Sequence, residues 1–371
     1  ITDLLRAASR ASLCGTRAAW QQVRSRFFRV ADELNVKGMR AFLQETERAL
    51  AEHPYEAFFA SRGEYLCATM LAELLQWPMV DAVGIIRFCG TKANFDASYV
   101  TTKEKLARVP YAVIPGFYGS DEKGNVVTFS RGGSDVTGAI VARAVEADLY
   151  ENWTDVDGVL SANPNYCDRA ETIPCLSYEE MKTLSRFGAG VLHEQTVLPV
   201  AETGIPIHVR NLFHPEGGGT LVVSEAQRNG VFGINVKEGY RAVLVQTGEE
   251  DVFRQAMLVS ERFQSFGVSV EYISCGAQSF TLLFRGGDKN VLSHFDCNTP
   301  ADFVRIQEDL AIVAFSFRQK PPLGRIVTAL EQSGVELFTI DFGSANHTTF
   351  AVRQTQAGEA VRILQHSISN L

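Results

Sequence analysis

No hydrophobic run in these 371 residues reaches the roughly 18 apolar positions that a membrane-spanning helix needs. The opening residues do not read as a secretory leader either. Cysteines are few, widely spaced and odd in number: Cys14, Cys67, Cys89, Cys167, Cys175, Cys275 and Cys297, with no C-x-x-C pair. That usage argues against a disulfide framework and a zinc site, and suits reduced thiols in a cytoplasmic protein. The seven histidines include no H-x-x-x-H pair, so no protein-held metal is expected. Basic charge is also short: 35 Lys and Arg face 43 Asp and Glu, for a net charge of −8. Neither a nucleic acid nor a membrane surface is therefore an expected partner, and the arginines between 17 and 29 read as one exposed helix face. There is no initiator methionine. Ile1-Thr2-Asp3 looks like a helix N-terminus with Thr2 or Asp3 as its cap, and the chain reads as a fragment or a processed product.

What is present is an ordinary globular composition, 46% hydrophobic and 21% charged. The length suggests two or three domains of about 100–200 residues each. Residues 3–50 carry apolar positions at helical spacing and predict two or three helices; 61–75 predicts another. Residues 79–88 read as an apolar strand buried on both faces. Residues 113–157 predict a hairpin, a glycine loop (Ser130 to Asp135), a helix and a strand. A strand, glycine loop and helix in succession aim backbone N–H groups and a helix dipole at an anion. Ser177 and Glu180 form a capping box opening a helix over 177–185. A further helix is expected over 189–203 and a strand over 207–209. Strands alternating with helices point to an α/β fold.

The texture changes after Gly217-Gly218-Gly219. Strand 242–246, helix 251–265 and strands 268–274 and 279–284 are followed by a second set: strand 311–317, helix 322–333, strands 335–341 and 348–352, and helix 358–367. The helices end alike, in Gln264-Ser265-Phe266-Gly267-Val268 and Gln332-Ser333-Gly334-Val335. This is an internal duplication of a β-α-β-β module.

Five segments occur in order: Ser61-Arg62-Gly63-Glu64, Pro115-Gly116-Phe117-Tyr118-Gly119, Ser130-Arg131-Gly132-Gly133-Ser134-Asp135, Thr154-Asp155-Val156-Asp157-Gly158-Val159, and Phe187-Gly188-Ala189-Gly190-Val191-Leu192-His193. Together they resemble the aspartate kinases of the amino-acid kinase superfamily, and the duplicated tail resembles their tandem ACT modules. The resemblance implies a three-layer α/β/α amino-acid kinase domain, lacking its first strands, over 1–225. Two ferredoxin-like ACT modules would follow over 226–298 and 299–371, with strand exchange between them compatible with this reading. It implies ATP-dependent phosphorylation of the L-aspartate β-carboxylate to 4-phospho-L-aspartate, the first step toward diaminopimelate and lysine, threonine and methionine. Mg2+ would be held mainly by the nucleotide. Homodimers or larger homo-oligomers would form through the ACT modules.

The attacking carboxylate is already ionised at pH 7, so the site needs positioning and charge cancellation rather than a general base. By resemblance, Arg131 clamps a substrate carboxylate, helped by Ser134, Phe117 and Thr2, and Glu64 pairs the ammonium. Asp135 matches the catalytic aspartate, while Thr154, Asp155, Asp157 and Leu160 match the nucleotide side. Plainer readings stand beside these: a first-turn carboxylate for Glu64, a helix-start residue for Asp135, an unliganded turn for Asp157, and a structural role for His193. Glu271, Ser274 and Asn346 are effector-site candidates for lysine or threonine, against modules that only dimerise.

The family's Lys-x-Gly-Gly loop is absent here. Asn163-Pro164-Asn165 replaces its Asp-Pro-Arg, and Gly190 stands where many members carry lysine. These departures predict little or no activity for the chain as given, within a full-length parent that is a kinase. The alternative they favour is a catalytically dead, amino-acid-sensing protein on a kinase-fold scaffold. A kinase of the same superfamily acting on glutamate or carbamate is a more distant reading.

Overall fold

Four helices open the chain: α1 (Thr2–Arg10), α2 (Leu13–Glu33), α3 (Met39–Glu52) and α4 (Glu56–Leu75). The computed structural model describes residues 1–10, 13–130, 132–167, 170–188, 190–226, 231–247, 251–286, 303–341 and 345–369. Leu5, Val23, Phe27, Met39, Leu43 and Leu66 meet in one buried cluster. The 23/27 and 39/43 pairs lie one turn apart on a helix face, the spacing that predicted these helices. Fully burying each such side chain contributes about 1.5–3 kcal/mol.

Helix α4 begins at Glu56 rather than near Ser61. The Ser-Arg-Gly-Glu segment thus lies inside the helix, where Phe58 through Gly63 are buried. Arg62 is held within this layer, its guanidinium 4.3 Å from the Phe58 ring and 4.5 Å from that of Tyr65. Tertiary burial of these turns overrides a start signal that lies one turn too late.

The strand expected over 79–88 is not continuous. Met79 makes only an isolated bridge to Val113, a 3-10 turn spans Ala82–Gly84, and strand β1 is confined to Phe88–Cys89. The Asp81 carboxylate accepts from the Val83 N–H at 3.1 Å and turns the chain before a ladder can form. The apolarity remains real, since Ile85 and Ile86 are fully buried. Strand β2 (Lys92–Ala93) pairs with β1, and helix α5 (Phe95–Leu106) follows, capped by Asn94. Apolar spacing does not signal this helix, because its buried face holds Ser98 and Thr102 instead of apolar residues.

The hairpin pairs β3 (Tyr118–Ser120) with β4 (Val126–Thr128), and helix α6 spans Gly133–Ala144. A four-stranded mixed sheet holds β5 (Tyr150–Thr154), β7 (Ile207–Asn211), β8 (Thr220–Val223) and β6 (Cys175–Ser177) in that order, with β5 parallel to β7. The capping box forms as expected before helix α7 (Tyr178–Arg186). The Ser177 N–H donates to Glu180 Oε2 at 2.8 Å, and the Glu180 N–H donates to Ser177 Oγ at 3.1 Å. Helix α8 is shorter than expected, Glu194–Ala201, because Gly188 and Gly190 are left-handed at φ +91° and +70°.

The chain divides into two compact units: Ile1–Asp157 with Cys175–Lys182 and Val191–Ala226, and Gly158–Pro174 with Thr183–Gly190 and Gln227–Leu371. The second contains a six-stranded sheet built on two long strands, β9 (Val231–Gln246) and β12 (Phe303–Phe317). Both bend: Gly239 and Asp309 are left-handed at φ +78° and +57°, beside a register break. Around each bend the halves take different neighbours. Residues 240–246 of β9 pair with β11 (Ser279–Arg285), itself paired with β10 (Val270–Cys275). The later half of β12 pairs with β14 (His347–Arg353), which borders β13 (Leu337–Asp341). Helix α9 (Val252–Ser265) covers the first half-sheet through Ala256 and Phe263. Helices α10 (Leu323–Gln332) and α11 (Ala357–Ser369) cover the second through Ile326, Leu330 and Val361. The predicted duplication is therefore present, with each long strand serving both half-sheets.

Candidate functional site

The site is organised by three close approaches of backbone. A β-carbon on Gly116 would lie 2.8 Å from Ser134 Cα, one on Gly133 2.6 Å from Phe129 Cβ, and one on Gly132, at φ +61°, 2.5 Å from His193 Cβ. Only glycine fits these positions, so the glycine loop is a packing requirement before it is anything else. Phe117 is itself left-handed at φ +77°, a conformation that is unfavourable for a bulky residue. Its N–H donates to Thr137 Oγ1 at 3.2 Å, and its carbonyl accepts from the Phe129 N–H at 2.9 Å. The hairpin and the start of α6 are thereby locked together, with exposed Ser134 and half-buried Asp135 in the first turn of the helix. Arg131 lies outside the described residues.

Asp135 is held from strand β5. Asn152 Nδ2 donates to Asp135 Oδ1 at 2.9 Å and to the Tyr150 hydroxyl oxygen at 3.2 Å, while that hydroxyl donates to the Asp135 carbonyl at 3.1 Å. Burial pushes the Asp135 carboxyl above its usual range; Asn152 and nearby His193 pull partly against that. His193 caps α8, its Nδ1 accepting from the Gln195 N–H at 3.3 Å, which is the structural role expected of it.

Thr2 and Glu64 form the second part. Thr2 Oγ1 donates to Glu64 Oε1 at 3.4 Å, while Glu64 Oε2 is buried and has no hydrogen-bond partner among the described residues. Burial raises the Glu64 carboxyl above the usual carboxylate range, with Thr2 and the positive charge of Arg6 opposing. A cavity of about 340 Å³ opens here, lined by Ile1, Thr2, Gly63 and Glu64 together with Phe27 and Cys67. Arg6 links the two parts, its guanidinium 5.8 Å from the centre of the Phe117 ring. Thr2 and Arg6 share α1, the first reaching Glu64 and the second the Phe117 ring, while Ser134 and Asp135 lie in the first turn of α6.

The nucleotide-side candidates sit at the carboxyl ends of parallel β5 and β7, the usual ligand position in an α/β sheet. Thr154 Oγ1 donates to Asp155 Oδ1 at 3.3 Å. Asp157 Oδ1 accepts from Asn211 Nδ2 at 2.7 Å and contacts His214 Nδ1 at 3.1 Å. These partners, Asn211 first, hold the exposed Asp157 carboxyl below its usual range. Leu160 belongs to the second unit, where it bridges to Thr172.

The effector candidates are not gathered in one place by the strand order. Glu271 and Ser274 lie on β10, whereas Asn346 precedes β14, with β11, β9 and β12 between them. Glu271 Oε2 accepts from Lys237 Nζ at 2.8 Å and from the Tyr240 hydroxyl at 2.5 Å. Its carboxyl is lowered overall, burial notwithstanding, by those two partners. Asn346 Nδ2 donates to Thr183 Oγ1 at 3.1 Å. Among the described residues no group of three or more His, Cys, Asp or Glu could hold a metal ion, and no helix is long and apolar enough to cross a membrane.

Sequence reasoning missed Arg6, Tyr150, Asn152, Asn211 and His214. A signal existed for two of them. Tyr150 and Asn152 alternate on a short strand and so share a face, and a polar pair on a packed face must find partners. The rest depend on which segments meet in space.

The model of the Amino acid kinase family matches residues 14–211. Aspartokinase 3 of Bacillus subtilis (strain 168) is 33% identical over 269 residues, covering 68% of this chain and 59% of the relative. The bifunctional aspartokinase/homoserine dehydrogenase of Haemophilus influenzae is 27% identical over 369 residues, covering 92% of this chain and 45% of the relative. The chain thus spans roughly half the length of these curated relatives. The crystal structure of Clostridium acetobutylicum aspartate kinase superposes with a TM-score of 0.90 at 32% identity, covering 99% of this chain and 89% of that one. Aspartokinase III of Escherichia coli, in complex with aspartate and ADP, superposes with a TM-score of 0.81 at 22% identity, a likeness of fold. The fold is accordingly an α/β amino acid kinase domain followed by ferredoxin-like regulatory modules, and the chain belongs to the amino acid kinase family.

Proposed function

We propose that the protein is an aspartate kinase, transferring the γ-phosphoryl group of ATP to the β-carboxylate of L-aspartate, at a rate lowered by the departures at Asn163-Pro164-Asn165 and Gly190. The observation that carries this reading is Glu64 Oε2, a buried carboxylate oxygen with no partner beside a cavity. An ammonium group docked there would supply the missing charge and hydrogen bond. Thr2 orients the other Glu64 oxygen, and Ser134 and Phe117 bound the substrate side, with Arg131 as the carboxylate clamp. Asp135 stands at the junction with the nucleotide, which Thr154, Asp155 and Asp157 would contact. Fold agreement with an aspartate kinase at 32% identity supports the assignment. The relatives do not favour the reading as an inert amino-acid sensor, since their names are those of aspartokinases.

The acceptor needs no deprotonation, so the residues act by holding two anions in line and by excluding water. The groups at the carboxyl ends of β5 and β7, an exposed carboxylate pair with Asn211 and His214, fit a nucleotide that brings its own cation. Mg2+ bound with ATP would offset the charge of the β- and γ-phosphates. The second unit is read as two modules, 226–298 and 299–371, that exchange strands, bind lysine or threonine, with Glu271 and Ser274 on β10 and Asn346 before β14 as separate candidates, and join chains into a homo-oligomer. A cytoplasmic location fits the wide spacing and odd number of the cysteines, which include no C-x-x-C pair. The test is aspartate-dependent ADP release, with trapping of the acyl phosphate by hydroxylamine. Hydroxamate formed from aspartate but not from glutamate is expected. Titration with aspartate plus a non-hydrolysable ATP analogue should also show binding, and binding of lysine or threonine alone would overturn the assignment.

A further inference from the structure

Among the described members of the proposed machinery, only Asp135 has its main chain and side chain both gripped by one neighbouring strand. Tyr150 and Asn152 project from the same face of β5. Tyr150 donates to the Asp135 carbonyl, Asn152 donates to Asp135 Oδ1, and Asn152 also donates to the Tyr150 oxygen, closing a three-membered network. Asn152 is buried, 8% exposed, so an unused amide there would be costly. The network has its own packing requirement. A β-carbon on Gly138, one turn beyond Asp135, would lie 2.6 Å from the Tyr150 hydroxyl oxygen. Gly138 therefore admits the tyrosine, the tyrosine braces the asparagine, and the asparagine fixes the carboxylate. This bond takes one of the two lone-pair positions of Oδ1. Oδ2 lies on the other side, 3.8 Å from where a β-carbon of Gly132 would sit, and has no hydrogen-bond partner among the described residues.

We infer that Tyr150, Asn152 and Gly138 form a positioning clamp that pins Asp135 by Oδ1 and leaves Oδ2 to the reacting groups. This rests on the aspartate kinase reading of the Asp135 site. The clamp acts through Asp135 and touches no substrate. It removes the side-chain rotation that would let the carboxylate swing away, and freedom of that kind costs on the order of 10²-fold in rate when it misplaces a catalytic group. The titratable groups facing Asp135 are the Tyr150 phenol from β5 and the His193 imidazole from the loop before α8.

The experiment has two arms. In the first, carbon NMR of aspartate-labelled chain follows the Asp135 carboxyl through pH, assigned by its loss in Asp135→Asn. Asn152→Leu removes a donor to the ionised form, so the Asp135 midpoint should move to higher pH. An unchanged midpoint overturns the clamp. In the second, Asn152→Leu should lower kcat by about ten- to a hundredfold, leave KM for aspartate within about twofold, and move the acid limb of the kcat profile upward. A rise in KM alone would overturn the positioning role. Tyr150→Phe keeps the ring and should show the same pattern more weakly, which serves if Asn152→Leu does not fold. Wild-type chain that binds neither aspartate nor nucleotide would sink the kinase reading, while the carbon titration would still decide whether the clamp exists.

Discussion

Two partly buried glutamates, one in each unit, contrast the two regions. Glu64 in the kinase unit has a buried oxygen with no partner and a carboxyl raised by burial. Glu271 in the regulatory unit has its Oε2 shared by Lys237 and Tyr240, and its carboxyl is lowered. The first is a carboxylate held at a cost, one of its oxygens without a hydrogen bond among the described residues. The second is already neutralised from within, so a ligand arriving there must displace Lys237 or join it. Residue type alone did not separate these cases, since both glutamates were ligand candidates on the same grounds. Their environments separate them, because an unmet charge is tolerated only where something else is to meet it.

That contrast can be tested at several strengths. The largest effect is expected at Asp135, the other raised carboxyl of the kinase unit. Asp135→Asn should lower kcat by about 10²–10³-fold with little change in fold, measured by ADP release beside circular dichroism. Next is Glu64→Gln, which should raise KM for aspartate by about 10- to 100-fold, the worth of a charged hydrogen bond. It should also make the free chain more stable at neutral pH. A raised carboxyl penalises the folded state only when ionised, so the gain should be full above the raised pKa and vanish below the usual carboxylate range. A thermal melt series against pH reads this directly; a destabilised Glu64→Gln would mean that the orphaned oxygen has a hidden partner.

In the regulatory unit the effects should fall on stability and spare turnover. Gly239→Ala should cost about 1–2 kcal/mol, because the position is left-handed while the space around it is open. Its check is denaturant unfolding, and loss of catalysis without loss of stability would refute it. Glu271→Gln should be smallest, at most about 1 kcal/mol given its partial exposure. Its sign with pH opposes that of Glu64: the stabilisation is present above the usual carboxylate range and is lost as pH falls through the lowered pKa.

Much of this arrangement was legible beforehand because it rests on local rules. The helices of the first fifty residues follow from apolar spacing, the capping box from Ser177 and Glu180, and the duplication from repeated helix endings. The reading failed where burial outweighed a local signal. Helix α4 begins before its apparent cap, Asp81 interrupts the apolar stretch at 79–88, and α5 hides its polar side. Gly190, read as a missing lysine, is also a left-handed position that an L side chain adopts only with strain. At the site, the motif residues Phe117, Ser134 and Asp135 were read from sequence, whereas Arg6 and Asn211 were not, since each reaches the site from a segment distant in the chain.

The sequence by itself determined the element types, the duplicated tail, the family and the chemical kind of each candidate side chain. These follow from periodicity, capping and motif order, which act over a few residues. Tertiary structure alone decided which carboxylates are satisfied. Pairing Glu271 with Lys237 and Tyr240, leaving Glu64 Oε2 without a partner, and bringing Tyr150 and Asn152 against Asp135 all require long-range packing. Charge in a low-dielectric interior is governed by what surrounds it. The glycine loop, which in sequence resembles a phosphate cradle, proves in the fold to be the place where a hairpin, a helix and His193 approach too closely for any side chain.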